Sequence, residues 1–467
     1  MMESARSLIV FSWLIFPLIS FSSPPSALAL PEAERLWLVG EQAFQDKLYS
    51  LANKNLERFV LRYPQDSRFP DAVLLLGKAR LATGQAEPAL ESFRQAQRFP
   101  APPGKDGEAK FWEAEALFRL KRYGEAASAY ERVISAGSSF APDASYGLAW
   151  CQLQEKHTEK AVRTFQTLLD RWPTHAVAAG ATYHLARLHA EAKHHAEAVA
   201  LLGGYATRFP DSPFLPEAAY LLGWSAMAGG ESEAAASTLK EFVARYPTHE
   251  LARRARSDLV ELLLRQGKKA EVEQEVQTLL AAKSPTPEGL SDAALFAQKI
   301  GRQKDTESAW RKLRQEFPQH PLAQQASLEL ARLAFDRRDF KESASSAERA
   351  AQSEDAAVRL EALTLLGESE LKQKRQKPAL KAFQSAVDLG LTDSPLHYRA
   401  VAGAGLAHEA LKEWALASKA YELVARASPD RALKEWAGKR LAQVRDHLKP
   451  PSKATPQKSS SPKSTGR

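Results

Sequence analysis

The sequence predicts an all-α solenoid of about eleven helical hairpins, and three regularities predict it. A small residue recurs about every 37 positions: Gly40, Gly77, Ala114, Ala149, Ala186, Gly223, Ala294, Ala331, Gly367 and Gly405, with Val260 as the exception. Twelve positions beyond each stands a second residue, alanine in eight of eleven cases (Ala52, Ala89, Ala126, Ala161, Ala198, Ala235, Ala379, Ala417), otherwise Val272, Thr306 or Ser343. Prolines fall 24 positions after their anchors at Pro64, Pro173, Pro210, Pro247, Pro318 and Pro429. Two amphipathic segments between prolines make a hairpin too thin to bury its own apolar face, so hairpins must stack on one another.

Residues 1–29 lie outside this pattern. Arg6 precedes an apolar run from Leu8 to Phe21, and Ala27-Leu28-Ala29 offers the small residues of a cleavage site. The run is shorter than the roughly 20 residues of a membrane span. The expectation is a signal peptide cleaved after Ala29, with an uncleaved anchor as the alternative and no transmembrane helix in the mature chain.

Residues 30–448 read as the solenoid. Each anchor lies on a first helix and lets the second approach closely. Sixteen positions beyond it comes a large apolar residue: Leu56, Phe93, Tyr130, Phe165, Leu202, Leu239, Val276, Trp310, Phe383 and Tyr421, with Ala347 the one failure. Proline stops the second helix because it lacks an amide hydrogen and crowds the preceding turn. Pro/Gly-rich runs at 100–107 and 283–289 mark loops and breaks in the rhythm. A last amphipathic helix, Arg431 to about Leu448, is expected to cap the stack through Leu433, Trp436, Leu441 and Val444. Cys151, the only cysteine, leaves no internal disulfide and reads as a small packing residue.

From Lys449 to Arg467 the pattern stops. This tail has five positive charges and no acidic residue, which predicts disorder and allows weak contact with an anionic envelope surface. It supplies most of the net charge of +8, leaving the repeat body nearly balanced, so nucleic-acid binding is not expected.

No catalytic constellation stands out. His184, His189, His194 and His195 are spaced off a common helical face, so no metal site is assigned. Asp258 and Glu261 read as ordinary exposed carboxylates. There is no Gly-rich phosphate loop, nucleophile elbow or metalloprotease helix, so no catalytic residue and no cofactor are assigned.

The Leu-Ala or Leu-Gly step at Leu185-Ala186 and Leu222-Gly223, the alanines at 198 and 235, and the endings Arg208-Phe209-Pro210 and Arg245-Tyr246-Pro247 resemble the tetratricopeptide repeat. The spacing and endings are most similar to its bacterial envelope members, the outer-membrane assembly lipoproteins and the Tol-Pal accessory proteins. No cysteine follows the apolar run to take a lipid, which sets this chain apart from the lipoproteins.

The resemblance implies a right-handed superhelix whose first helices form the inner wall, with the residues three before and one after each anchor facing the groove. In the third to sixth units these include Phe111, Tyr146, Trp150, Tyr183, Arg187, Tyr220 and Trp224; from the seventh on they are Ser257, Glu261, Ser291, Leu295, Leu328, Arg332, Thr364, Glu368, Ala402 and Leu406. Two readings of the aromatics stand, lining of a partner groove and packing between repeats. The function implied is a non-catalytic scaffold holding a protein or peptide partner, periplasmic or peripheral to the outer membrane, in envelope assembly. The alternative is a scaffold subunit of an exopolysaccharide export system.

Overall fold

The structure, a computed structural model, describes residues 30–100 and 107–448. The expected signal segment, the core of the 100–107 loop and the basic tail lie outside the described residues. Every regular element among the described residues is a helix. By internal contacts the chain divides into two compact units, one through Ala218 and one from Ala219.

In the first unit the helices pair as α1 (Glu32–Gln45) with α2 (Tyr49–Arg62), α3 (Phe69–Ala82) with α4 (Ala86–Ala96), α5 (Glu108–Arg119) with α6 (Tyr123–Ser135), and α7 (Ala141–Gln154) with α8 (Thr158–Arg171). The fifth hairpin differs: α9 (Ala176–Glu191) is followed by a second helix broken into α10 (His195–Leu202) and α11 (Tyr205–Arg208). Adjacent glycines cause the break, with Gly204 at φ +69°, a left-handed conformation that no helix interior accommodates. Tyr205 refastens the short piece, its hydroxyl donating to the Ala179 carbonyl at 2.9 Å.

The sixth hairpin is α12 (Leu215–Ala228) with α13 (Ser232–Arg245). In the second unit α14 (Ala252–Arg265) and α15 (Lys269–Leu280) follow, then α16 (Pro287–Lys299) with α17 (Gln303–Glu316) and α18 (Pro321–Asp336) with α19 (Phe340–Ala350). Next come α20 (Ala356–Lys372) with α21 (Gln376–Val387), α22 (Pro395–Ala410) with α23 (Trp414–Ala427), and the final α24 (Arg431–Leu448). Among the described residues this makes eleven hairpins and one closing helix, as the anchor count requires. At the 283–289 run the loop is shorter than expected, because Pro287 opens α16 at a position where its missing N–H costs nothing and Thr286 caps the helix by accepting from the Gly289 amide at 3.0 Å.

The anchors owe their size to the residue sixteen positions on. A methyl group built on Gly40 would lie 2.8 Å from Leu56, on Gly77 2.5 Å from Phe93, on Gly367 2.6 Å from Phe383, and on Gly405 2.6 Å from Tyr421. Each of those large partners is fully buried, a placement worth roughly 1.5 to 3 kcal/mol per side chain. In the ninth hairpin, where Ala347 replaces the large residue, hydroxyls make the contact instead. Ser343 Oγ donates to the Ala331 carbonyl at 2.9 Å and lies 2.8 Å from Ser369 Oγ.

A second marker recurs seven residues after every anchor, where the first helix ends. Lys47, Gly84, Lys121, Lys156, Lys193, Gly230, Gly267, Gly301, Arg338, Lys374 and Lys412 all have φ between +60° and +87°. The next amide donates back across the turn, as Leu48 does to the Ala43 carbonyl (2.8 Å) and His157 to Gln152 (2.7 Å), satisfying carbonyls a helix end leaves open. Where glycine is missing, a cation occupies the strained position beside the negative end of the helix dipole.

The second helices end alike as well. Tyr63, Trp172, Phe209, Tyr246 and Phe317, each before a proline, share φ near −130° and ψ near +57°. The preceding arginine stacks on the aromatic ring in three of them, Arg171 on Trp172 (4.5 Å), Arg208 on Phe209 (5.3 Å) and Arg245 on Tyr246 (5.5 Å).

Cys151 is buried, and burial pushes its thiol up to about 12, so it serves as a packing residue. Asp258 differs from the expectation of a solvated carboxylate. It is half-buried and accepts the Tyr220 hydroxyl at 2.8 Å.

Candidate functional site

The helices of the third to fifth hairpins bring three of the sequence-selected aromatics of the first unit, Phe111, Tyr146 and Trp150, together around a cleft of about 570 Å³. Six rings line it: Phe111, Trp112 and Phe118 from α5, Tyr130 from α6, and Tyr146 and Trp150 from α7. Glu115, Arg119, Asp143, Gly147, Gln154 and Val177 complete the wall.

The floor is set by a missing side chain. A methyl group on Gly147 would lie 2.8 Å from the Tyr130 hydroxyl, so only glycine at this place lets the Tyr130 ring pass over α7. There its hydroxyl donates to Glu115 Oε1. Burial raises the Glu115 carboxyl above the ordinary range, and the Tyr130 hydrogen bond and the Arg119 charge pull it partly back. Asp143 faces the His175 imidazole, Nε2 to Oδ2 3.8 Å.

The two places expected to face the groove are not equivalent. Three residues before the anchor, Phe111, Tyr220, Ser291, Leu328, Thr364 and Ala402 are buried, so this place packs neighbouring helices in most repeats. Tyr146 and Tyr183 are half-buried there, as are Trp37 and Leu74 in the first two hairpins, and Ser257 is exposed. One residue after the anchor the chain reaches solvent: Trp150, Arg187 and Trp224 are half-buried, and Glu261 and Leu295 are exposed. Phe111 stacks on Phe140 at 5.4 Å while still contributing to the cleft.

Tyr183 lies beyond the cleft, stacked on Phe214 at 5.0 Å and 15°. Between it and Trp150 sits His184, ring centroid 4.8 Å from Trp150 and 5.0 Å from Tyr183. Burial depresses the His184 imidazole to about 4. His189 and His194 approach with ring centroids 5.9 Å apart, although their spacing suggested different faces, because the turn after α9 folds His194 back. No group of three or more metal-ligating side chains gathers among the described residues.

Tyr220 and Trp224 belong to the second unit, where Tyr220 is held by Asp258 and its ring lies 5.9 Å from Phe242. That unit has its own groove of about 800 Å³, lined by charged side chains of both signs, among them Lys341, Glu348, Arg375 and Lys381.

Glu115, Asp143 and Gly147 were not among the residues selected from sequence. Glu115 stands one after the anchor Ala114, so the rule that selected Trp150 also points to it, but a preference for aromatic and arginine side chains passed it over.

Family models described as tetratricopeptide repeat match residues 74–142, 113–176, 156–213, 328–394 and 364–432, more than half of the chain, and another of the same description matches 217–249. The chain belongs to the tetratricopeptide repeat family. A tetratricopeptide array is a scaffold for protein interaction, and the cleft lies on the helices that carry its anchors.

Among solved structures the chain is similar to PilW, described as a widely conserved type IV pilus biogenesis factor, at 18% identity over 48% of this chain and 99% of that one, with a TM-score of 0.39. It is also similar to MamA 41-end from Desulfovibrio magneticus RS-1 (16% identity, 39% and 97% covered, TM-score 0.33). A third similarity is to a structure of Naa15/Naa10 bound to HypK-THB (13%, 90% and 67%, 0.39). No curated protein matches the chain.

Proposed function

We propose that this tetratricopeptide protein is an exported, non-catalytic scaffold that holds a protein or peptide segment against the aromatic cleft of its first unit. Its place is the periplasm or the periphery of the outer membrane, in envelope assembly, with the basic tail adding weak attraction to anionic surfaces. The observation that carries the reading is the cleft itself, since rings and an arginine that bury large area at low entropic cost dominate protein recognition.

Export is supported by the Leu8 to Phe21 run and Ala27-Leu28-Ala29. No described helix is long and apolar enough to cross a membrane. Mass spectrometry of the exported protein is expected to find Leu30 as the first residue; Met1 retained on membrane-bound material overturns cleavage.

Affinity capture with the exported protein supplies the partner for the second test. Trp150→Ala and Tyr146→Ala, both in the cleft wall, are each expected to weaken its binding by about 2 kcal/mol, roughly 30-fold. Glu261→Ala, at the exposed equivalent place of the seventh hairpin, should leave affinity unchanged. Equal affinities in all variants, or losses that merely follow helix content, would leave the aromatics as packing residues.

A further inference from the structure

We propose that the aromatic cleft of the first unit accepts a cationic side chain, lysine or arginine, from a partner peptide, held by the carboxylates of Glu115 and Asp143. The inference rests on the groove reading above and adds the chemistry of what enters.

The charges of the lining are unbalanced. Two carboxylates stand in the cleft against one guanidinium, that of Arg119, whose side chain is exposed. Among the described residues Glu115 has one hydrogen-bond donor, Tyr130, although a carboxylate accepts about four. Asp143 gains a charged neighbour only when His175 is protonated. A half-buried carboxylate with so little compensation is costly, as the upward displacement of the Glu115 carboxyl indicates.

An entering ammonium or guanidinium supplies the missing donors and lies among six rings whose faces carry negative charge density. The same arrangement already exists nearby within the fold. Lys78 Nζ lies 5.3 Å from the Trp112 ring centroid while paired with Glu108. An acidic segment would instead meet two like charges, and an apolar one would cover both carboxylates without pairing them.

The test uses the full mature chain labelled with 15N-tryptophan and three capped tripeptides, Ala-Lys-Ala, Ala-norleucine-Ala and Ala-Glu-Ala, followed through the indole N–H signals. Trp150→Phe and Trp112→Phe assign the two cleft signals. The lysine peptide is expected to shift them at a concentration about tenfold below that of norleucine, the scale of one charge-assisted hydrogen bond. Glu115→Gln keeps an acceptor for Tyr130 and should remove that tenfold advantage, weakening the lysine peptide while the norleucine peptide, no longer covering a charge there, binds at least as well as before.

Norleucine or glutamate peptides binding as well as lysine would overturn the cationic assignment and leave the groove standing. The same holds if Glu115→Gln changes nothing. No response of the cleft signals to any of the three peptides would overturn both the inference and the groove at this cleft.

Discussion

Truncating Phe383 to alanine is expected to lower the stability of the second unit by about 3 to 5 kcal/mol, read as a shift of the urea midpoint at unchanged slope. The ring is fully buried and stands between two glycines on different helices. A methyl group on Gly367 of α20 would lie 2.6 Å from it, and one on Gly403 of α22 2.4 Å. Phe383 therefore fills a gap that two missing side chains create, and alanine would leave that gap empty on both sides.

The reverse substitution tests the same contact. Gly367→Leu alone is expected to cost about 1 to 3 kcal/mol by overpacking. Combined with Phe383→Ala it should cost less than the two changes added, with a coupling of about 0.5 to 3 kcal/mol. Gly223→Leu, where an added carbon meets Leu239 at 2.9 Å, should behave as Gly367→Leu does, with damage confined to the sixth hairpin and its neighbours. Strict additivity of Gly367→Leu and Phe383→Ala would show that the anchor and the residue sixteen beyond it do not meet.

Acidification is expected to destabilise the first unit between pH 6.5 and 4 through His184. The side chain is 6% exposed, and its Nδ1 is buried with no hydrogen-bond partner among the described residues. Tyr146, Trp150, Phe165, Tyr183 and Phe214 surround the ring, and the Arg187 charge adds a smaller depression to that of burial. The folded state keeps the imidazole neutral down to about 4, whereas the unfolded chain binds a proton below its ordinary 6.5.

Stability from this group is thus complete above 6.5 and falls as pH drops toward 4, by roughly 3 kcal/mol in all at 1.36 kcal/mol per pH unit. His184→Phe preserves a ring in the cluster and removes the titration, so its unfolding free energy should depend less steeply on pH over that range. His189 in the first unit and His397 in the second are depressed by burial in the same direction, so the His184→Phe protein keeps a residual slope. Identical slopes for parent and His184→Phe would place the imidazole in contact with water.

The repeat register was legible because one physical demand is repeated at fixed intervals. A small residue must face the ring or branched side chain sixteen positions later, and Gly40, Gly77, Gly223, Gly367 and Gly405 all do. The left-handed place seven after each anchor was equally present in the sequence as Gly, Lys or Arg, but lysine at a turn is ordinary on a charged surface and carries no local sign of positive φ. The break at Gly203-Gly204 was visible as two glycines, while the continuing pattern to Tyr205 and Pro210 masked it.

The candidate site was legible in part. Tyr146 and Trp150 were selected by repeat position and both line the cleft; Tyr220 was selected by the same rule and is buried against Asp258. Position in a repeat specifies which helix face a residue occupies, but exposure depends on how far the next hairpin covers that face, and this varies with the side chains opposite.

By itself, then, the sequence determined the helices, their pairing into eleven hairpins and the closing helix, because these depend on spacing along one chain and on contacts within a hairpin or with its neighbour. Only the tertiary structure decided that Glu115, Tyr130, Asp143 and Trp150 share one cleft. They come from α5, α6 and α7, and the meeting depends on Gly147 leaving space for a tyrosine seventeen residues earlier. Such a placement follows from packing across hairpins, where the size of one residue sets the position of another and no spacing along the chain records it.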